Sequence, residues 1–263
     1  MKYEFSEKDH RHLLDGKQLT GCSTVTDVLS KPLNWYASGK ACEILGWTNE
    51  KIKVNGLYIH VPTEDRLKIS NPALDDIKKM TGLEYLCLLD KAYKAHNEFK
   101  KKSAKKGIDL HTELEQFIKD QMSSCARPYD PKIQPFIDWS DKNVKTFLWA
   151  EAHSYDEETF TGGISDAGAI LNDGSVVVFD FKSAKSAYQS HFIQAGGYCL
   201  QIRKHGIFDK DGNYHGEKPS PTHIAIVPFG TEPVIPVIKH CEPYEVAFKC
   251  AVELYRLMNL EEK

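Results

Sequence analysis

No run of apolar residues in the 263-residue chain approaches the ~20 needed to cross a bilayer, so a membrane-spanning protein is not expected. The opening MKYEFSEKDHR has no apolar signal core and is too acidic for a transit peptide, which predicts an intracellular, cytoplasmic protein that is not secreted. Seven cysteines are present, at 22, 42, 87, 125, 199, 241 and 250, but no C-x-x-C pair. The odd count and the missing pair argue against a disulfide framework or a zinc ribbon, and most of these thiols are expected to be buried. A basic excess is also missing: the net charge is −3, so overall charge does not point to nucleic acid. Nor is there a G-x-x-x-x-G-K-[ST] motif, because Gly39-Lys40 runs on into Ala41 with no suitably placed upstream glycine. A built-in phosphate-driven motor is therefore not expected.

What is present reads as one elaborated α/β domain. At this length a single fold can bury about 75% of its unfolded surface. Apolar spacing over 24–46, interrupted by Pro32, predicts a short helix and a second one starting near Asn34. Asn55-Gly56 beside the alternating stretch from Leu57 to Val61 predicts a small hairpin within 47–72. Residues 74–121 read as one long helix, or as two parted by a break at Gly107. A helix over 132–142 leads to three consecutive antiparallel strands over 146–182, the last two joined by the turn signal Asn172-Asp173-Gly174. Then come a helix over 186–205, a strand over 222–230 and a closing amphipathic helix over 242–260. Asp209 and Asp211 lie in a loop over 209–221 that reads as a plain turn, since Tyr214 stands where a calcium loop needs glycine.

The chemistry concentrates in GGISDAGAILNDGSVVVFDFKSAK, residues 162–185. The hairpin turn can bring Asp166 and Asp180 together at one end of two paired strands. Like charges in a partly desolvated site call for a proton or a cation, and oxygen ligands favour Mg²⁺ or Mn²⁺. Lys182, two residues beyond Asp180, points to the same strand face and can reach whatever the cation holds. A metal beside an ammonium is suited to phosphodiester hydrolysis, whereas a surface salt bridge is the alternative reading of Asp180 and Lys182 alone. His111 and Glu115 share a helix face, as do Gln194 and Tyr198, and each pair also admits ordinary packing. Gly196-Gly197 would cost about 1–2 kcal/mol in that helix unless a neighbour must come close.

In order, Gly107, His111 and Glu115 form G-x-x-x-H-x-x-x-E, Gly163 and Asp166 form G-x-x-D, Asp180 and Lys182 form D-x-K, and Gln194 and Tyr198 form Q-x-x-x-Y. Together they resemble the RecB-like branch of the PD-(D/E)XK nuclease superfamily. The upstream TVTDVLSKPLNWYASGKA is similar to the opening region of its phage-type and mitochondrial-genome-maintenance-type exonucleases, so the resemblance covers roughly residues 22–205. It implies a PD-(D/E)XK core, with a mixed central sheet flanked by helices and with added N-terminal helices. The whole chain would be a single nuclease domain, 1–90 a mainly helical elaboration and 91–263 the catalytic core. The implied activity is metal-dependent DNA hydrolysis from strand ends, on single-stranded DNA or DNA ends in replication, recombination or repair. The alternatives are an endonuclease with the same site and a weakly active DNA-end-binding recombination accessory.

By the same resemblance His111, Asp166 and Asp180 would ligate Mg²⁺ or Mn²⁺, Lys182 would be catalytic, Gln194 and Tyr198 would support the phosphate and the DNA end, and Glu115 would assist near the metal. Some relatives close an iron–sulfur cluster with three clustered late cysteines. Here Cys241 and Cys250 have no third neighbour, so no cluster is expected. Any helicase or recombination protein would be a separate chain. The lysine-rich segment 91–107 reads either as a solvated helix face or as a DNA track, in which Lys100, Lys101, Lys102, Lys105 and Lys106 would contact phosphates. Trp35 and Tyr36 are candidates for stacking on unpaired bases, with core packing as the alternative.

Overall fold

The computed structural model describes residues 2–29, 34–45, 51–54, 57–60, 76–125, 127–216, 220–230 and 234–259; at 34–36, 40, 51–54, 57–60 and 99–108 it describes the backbone alone. The chain divides into two compact units, one of residues 1–30 with 106–263 and one of residues 31–105.

In the second unit, α2 (Asn34–Ile44) begins where the sequence predicts, and β5 (Lys51–Val54) pairs antiparallel with β6 (Leu57–His60). Asn55 and Gly56, the expected turn, lie outside the described residues. The long helix α3 (Gly82–Met122), of which residues 82–105 belong to the second unit and 106–122 to the first, starts at a capping box. Thr81 N donates to Glu84 Oε2 at 2.7 Å and Glu84 N to Thr81 Oγ1 at 3.3 Å. Of the two readings of this stretch, one helix or two parted at Gly107, the first holds over 82–122: α3 runs through Gly107. One glycine weakens a helix by only about 1 kcal/mol, which its good helix-forming neighbours in SAKKGIDLHTEL offset.

The first unit is built on a mixed six-stranded sheet flanked by helices. Its centre is the expected antiparallel meander of β7 (Val144–Asp156), β8 (Thr161–Leu171) and β9 (Val176–Lys182). The β8–β9 turn carries Gly174 at φ +88°, a conformation that suits glycine. From β9 the chain crosses through α5 (Gln189–His205) to β10 (His223–Pro228), which lies parallel to β9. The edge strand β11 (Val237–His240), antiparallel to β10, precedes the closing helix α6 (Glu242–Met258). β11 was not expected, nor were the N-terminal β1 (Tyr3–Ser6), β2 (Arg11–Leu14), β3 (Lys17–Gln18) and β4 (Thr20–Gly21). β4 runs into the short helix α1 (Cys22–Thr26), and α4 (Gln134–Asn143) precedes β7.

Alternation along β9 sorts its side chains between two cores. Val177, Phe179 and Phe181 pack with Leu114, Phe117 and Ile118 of α3, whereas Val178 packs with Phe192, Ala195 and Tyr198 of α5. Asp180 and Lys182 share the parity of Val178, so they stand on the α5 side.

The glycine pair of α5 serves close approach. A Cβ at Gly196 would lie 2.5 Å from the backbone carbonyl of Tyr244 in the first turn of α6. Backbone cannot rotate aside, so Gly196→Ala is expected to destabilise the fold by about 1–3 kcal/mol despite its better helix propensity. Urea unfolding checks this, and an unchanged midpoint would show that α6 can yield. Of the seven cysteines, only Cys22, Cys199 and Cys241 are buried; Cys42 is intermediate and Cys87, Cys125 and Cys250 are exposed. The expectation of mostly buried thiols fails because helices α3 and α6 turn Cys87 and Cys250 outward. Among the described residues no helix is long and apolar enough to cross a membrane.

Candidate active site

The pairing of β8 with β9 runs from Ile170↔Val176 to Ala167↔Phe179 and ends there. One step further, where Asp166 and Asp180 would face each other, the strands part. β9 continues along β10 through Lys182↔Pro228, while β8 takes a new neighbour, its Thr161 and Gly162 pairing parallel with Thr20 and Gly21 of β4. β7 covers the opposite edge of β8 along its whole length. The result is a fork in the middle of the sheet with an aspartate on each arm.

At the fork, Phe181 N donates to Asp166 Oδ2 at 2.6 Å, tying one arm to the other. His111, from α3 on the Phe181 side, places Nδ1 3.3 Å from Asp166 Oδ1. On the α5 side, Lys182 Nζ lies 3.0 Å from Asp180 Oδ1 and donates to Gln194 Oε1 at 3.2 Å. Gln194 Nε2 in turn donates to the Tyr198 hydroxyl at 2.5 Å. The i, i+4 spacing of Gln194 and Tyr198 therefore makes a hydrogen-bonded pair. Tyr198 itself is buried, and its ring lies over Gly163, where a Cβ would be 2.4 Å away. Gly163 is thus the space that admits the Tyr198 ring beside Gln194.

Electrostatics at the fork are unbalanced. Burial pushes the Asp180 carboxyl up, to about 6, against the pull of Lys182 and with a further push from Asp166. Its Oδ2 is buried and has no hydrogen-bond partner among the described residues, an arrangement that costs about 1–3 kcal/mol or more for a charged group. For Lys182, burial works downward, but Asp180 and Asp166 outweigh it and the pKa is raised. His111 follows the same pattern: burial lowers it, while Asp166 first and then Asp180 raise it. The His111 imidazole and the Lys182 ammonium each face one oxygen of an aspartate and leave Asp180 Oδ2 open. Two carboxylates and an imidazole, one carboxylate oxygen being buried without a partner, offer the donor chemistry of a hard divalent cation, but their ligand atoms are not gathered within 4.8 Å of one another. Asp166, Asp180 and His111 are the residues that could hold it.

Beyond His111, a cavity of about 20 Å³ is lined by His111, Glu115, Glu151, Asp166 and Phe181. Glu115 makes an ion pair with Lys119. Glu151, on β7, was not singled out from the sequence. It lies in the register slot opposite Asp166, between Ala150↔Ala167 and Ala152↔Ser165, and its backbone is left-handed at φ +49°. The side chains of Trp35, Tyr36, Lys100, Lys101, Lys102, Lys105 and Lys106, the candidate DNA contacts, lie outside the described residues. Asp209 is a plain turn residue, its Oδ1 accepting from Asp211 N and Asn213 N at 2.9 and 2.8 Å.

Among the described residues two groups of three ligating side chains bring their ligand atoms within 4.8 Å of one another, neither containing His111, Asp166 or Asp180, and each is closed by a cation of its own. Arg203 reaches Cys241 Sγ at 3.2 Å and Glu245 at 3.0 Å beside Cys199, and Lys204 reaches Asp156 at 2.7 Å beside Glu157 and His205. No protein-family profile matches the chain, and no curated protein matches it with significance.

Proposed function

We propose that this protein is a metal-dependent DNA exonuclease of the RecB-like branch of the PD-(D/E)XK superfamily, and that the forked mixed sheet is the core of that superfamily. The observation that carries the reading is the orphaned, buried Asp180 Oδ2 in a fork that also holds Asp166, His111 and the hydrogen-bonded series Lys182–Gln194–Tyr198. Asp166, Asp180 and His111 would hold Mg²⁺ or Mn²⁺. Such a cation, when bound, polarises a phosphoryl oxygen and acidifies water.

The remaining work falls to the chain. Lys182, kept charged by Asp180 and Asp166, holds an ammonium where negative charge grows on the phosphate as it becomes pentacoordinate. Its raised pKa suits it to charge stabilisation rather than to proton abstraction. Gln194, fixed between Lys182 and Tyr198, sets the direction of that ammonium and offers its amide to the phosphate. Tyr198 is a positioning residue for Gln194.

The test is digestion of end-labelled linear single-stranded DNA beside a covalently closed circle of matching sequence, in Mn²⁺ at fixed salt. The expected result is progressive shortening of the linear strand and survival of the circle. A circle cut as fast as the linear strand would turn the reading to an endonuclease with the same site. Binding of both without cleavage would turn it to a DNA-binding accessory.

A further inference from the structure

From Phe181 to Phe208 the sequence holds no acid, while Lys182, Lys185 and His191 all fall in the first part of that stretch. There the chain leaves β9 beside the fork and is held in place. Phe229 N donates to the Lys182 carbonyl at 2.8 Å, and Gly230 N to that of Ala184 at 2.9 Å. Beyond these two anchors Lys185 stands exposed, and so does Tyr188, by 54%. The surface next to the Lys182 ammonium therefore joins positive charge to an open aromatic ring, which suits a chain of phosphates and bases.

His191 opens the face of α5 that carries Gln194 and Tyr198, because positions 191, 194 and 198 recur at i, i+3 and i+7. Gln194 binds Lys182, so the imidazole stands one turn before it on the side of the ammonium. Tyr188 sets its orientation. Tyr188 N donates to His191 Nδ1 at 3.3 Å, His191 N donates to the Tyr188 carbonyl at 3.1 Å, and the two rings meet edge to face with centroids 5.3 Å apart. A backbone N–H can only donate, so Nδ1 is the acceptor and the neutral ring carries its proton on Nε2. Burial, and then the charge of Lys182, lower the imidazole to about 4, so this neutral tautomer is the form present at pH 7. His191 is only half-buried, and among the described residues its Nε2 meets no partner. Capping α5 needs Nδ1 alone; the outer N–H and the exposed ring of Tyr188 are surplus to it. We propose that His191 and Tyr188 bind the nucleotide beside the one being cleaved, His191 Nε2–H donating to its phosphate and Tyr188 stacking on its base, with single-stranded DNA as the ligand. This rests on the DNA-cleaving reading of the fork and adds two residues that none of its sequence motifs contains.

The experiment measures fluorescence anisotropy of a labelled oligothymidine against the full chain and its variants over a range of salt, with Ca²⁺ in place of Mn²⁺ to hold off cleavage. Melting curves and single-turnover cleavage in Mn²⁺ accompany each variant. His191→Asn keeps an oxygen to accept from Tyr188 N and lacks the outer donor. It is expected to melt like the parent, to bind the oligonucleotide about tenfold more weakly, and to cleave at saturation within about threefold of the parent rate. Its salt slope should be unchanged, because a neutral donor releases no counterion, whereas Lys185→Ala should flatten that slope. Tyr188→Ala is expected to lose about tenfold in binding and Tyr188→Phe to lose none. Nitrogen-15 histidine labelling of the parent gives a readout independent of variant stability: the protonated Nε2 of His191 should shift when the oligonucleotide is added. If His191→Asn and Tyr188→Ala bind like a parent that does cleave DNA, this inference is overturned and the fork chemistry stands. A loss of binding that tracks a loss of stability, with an Nε2 signal indifferent to DNA, assigns His191 to the helix cap and also overturns it. If the parent neither binds nor cleaves DNA, the nuclease reading falls and takes this inference with it.

Discussion

Lys182→Ala is expected to slow cleavage by the proposed nuclease about 10²–10³-fold, the range for losing one preorganised charge-stabilising group. The dissociation constants for Mn²⁺ and DNA should stay within about threefold of the parent. The asymmetry follows from what Lys182 touches. Its ammonium contacts Asp180 Oδ1 and Gln194 Oε1 but not Asp166, so the second aspartate keeps its place through Phe181 N. An ammonium that is already charged in the resting site does most when the phosphate gains charge, which is a transition-state effect. Lys182→Arg is expected to recover only part of the rate, because a planar guanidinium does not reproduce a point charge between an aspartate and an amide. Single-turnover rates beside equilibrium binding separate the two roles. An unchanged single-turnover rate with weakened DNA binding would make Lys182 a phosphate contact and remove it from the chemistry.

Much of this site was legible because it depends on local spacing. Asp180 and Lys182 share a face because strands alternate, and β9 is a strand. Gln194 reaches Tyr198, and His111 lines one cavity with Glu115, because residues four apart meet on a helix. The hairpin turn at Asn172-Asp173-Gly174 announced the antiparallel pairing that brings Asp166 toward Asp180.

What could not be read depends on pairing between distant segments. The parting of β8 from β9 exists because β4, two residues long and more than a hundred residues upstream, takes over Thr161 and Gly162. A two-residue strand shows no period. Glu151 is one acid among many in the sequence, and only the β7–β8 register sets it opposite Asp166. The burial of Tyr198 over Gly163 is likewise a contact across the fold. It holds the Tyr198 hydroxyl beside Gln194.

Asp180→Asn is expected to make the metal-free protein more stable at neutral pH while removing its response to Mn²⁺. The folded-state pKa of Asp180 is raised from 3.8 to about 6, with the attraction of Lys182 already counted. Between those values the folded chain keeps a proton that the unfolded chain has released, so stability falls as pH rises through the window. Above about 6 the charged carboxylate is a standing penalty, on the order of a few kcal/mol at most. An amide keeps an oxygen for Lys182 and carries no charge, so the variant should unfold at higher urea than the parent at pH 7. The gap should close near pH 4, where the parent's Asp180 is protonated.

Adding Mn²⁺ should act the other way. The parent gains about 2.7 kcal/mol at a cation concentration one hundred times its dissociation constant, the variant gains little, and the order of stabilities narrows or reverses. Such a crossing would identify the orphaned oxygen as a place kept for a cation at the expense of the empty fold. A variant less stable than the parent at pH 7 without metal, or stabilised by Mn²⁺ as strongly as the parent, would mean that the unpartnered Asp180 Oδ2 is not the seat of the cation.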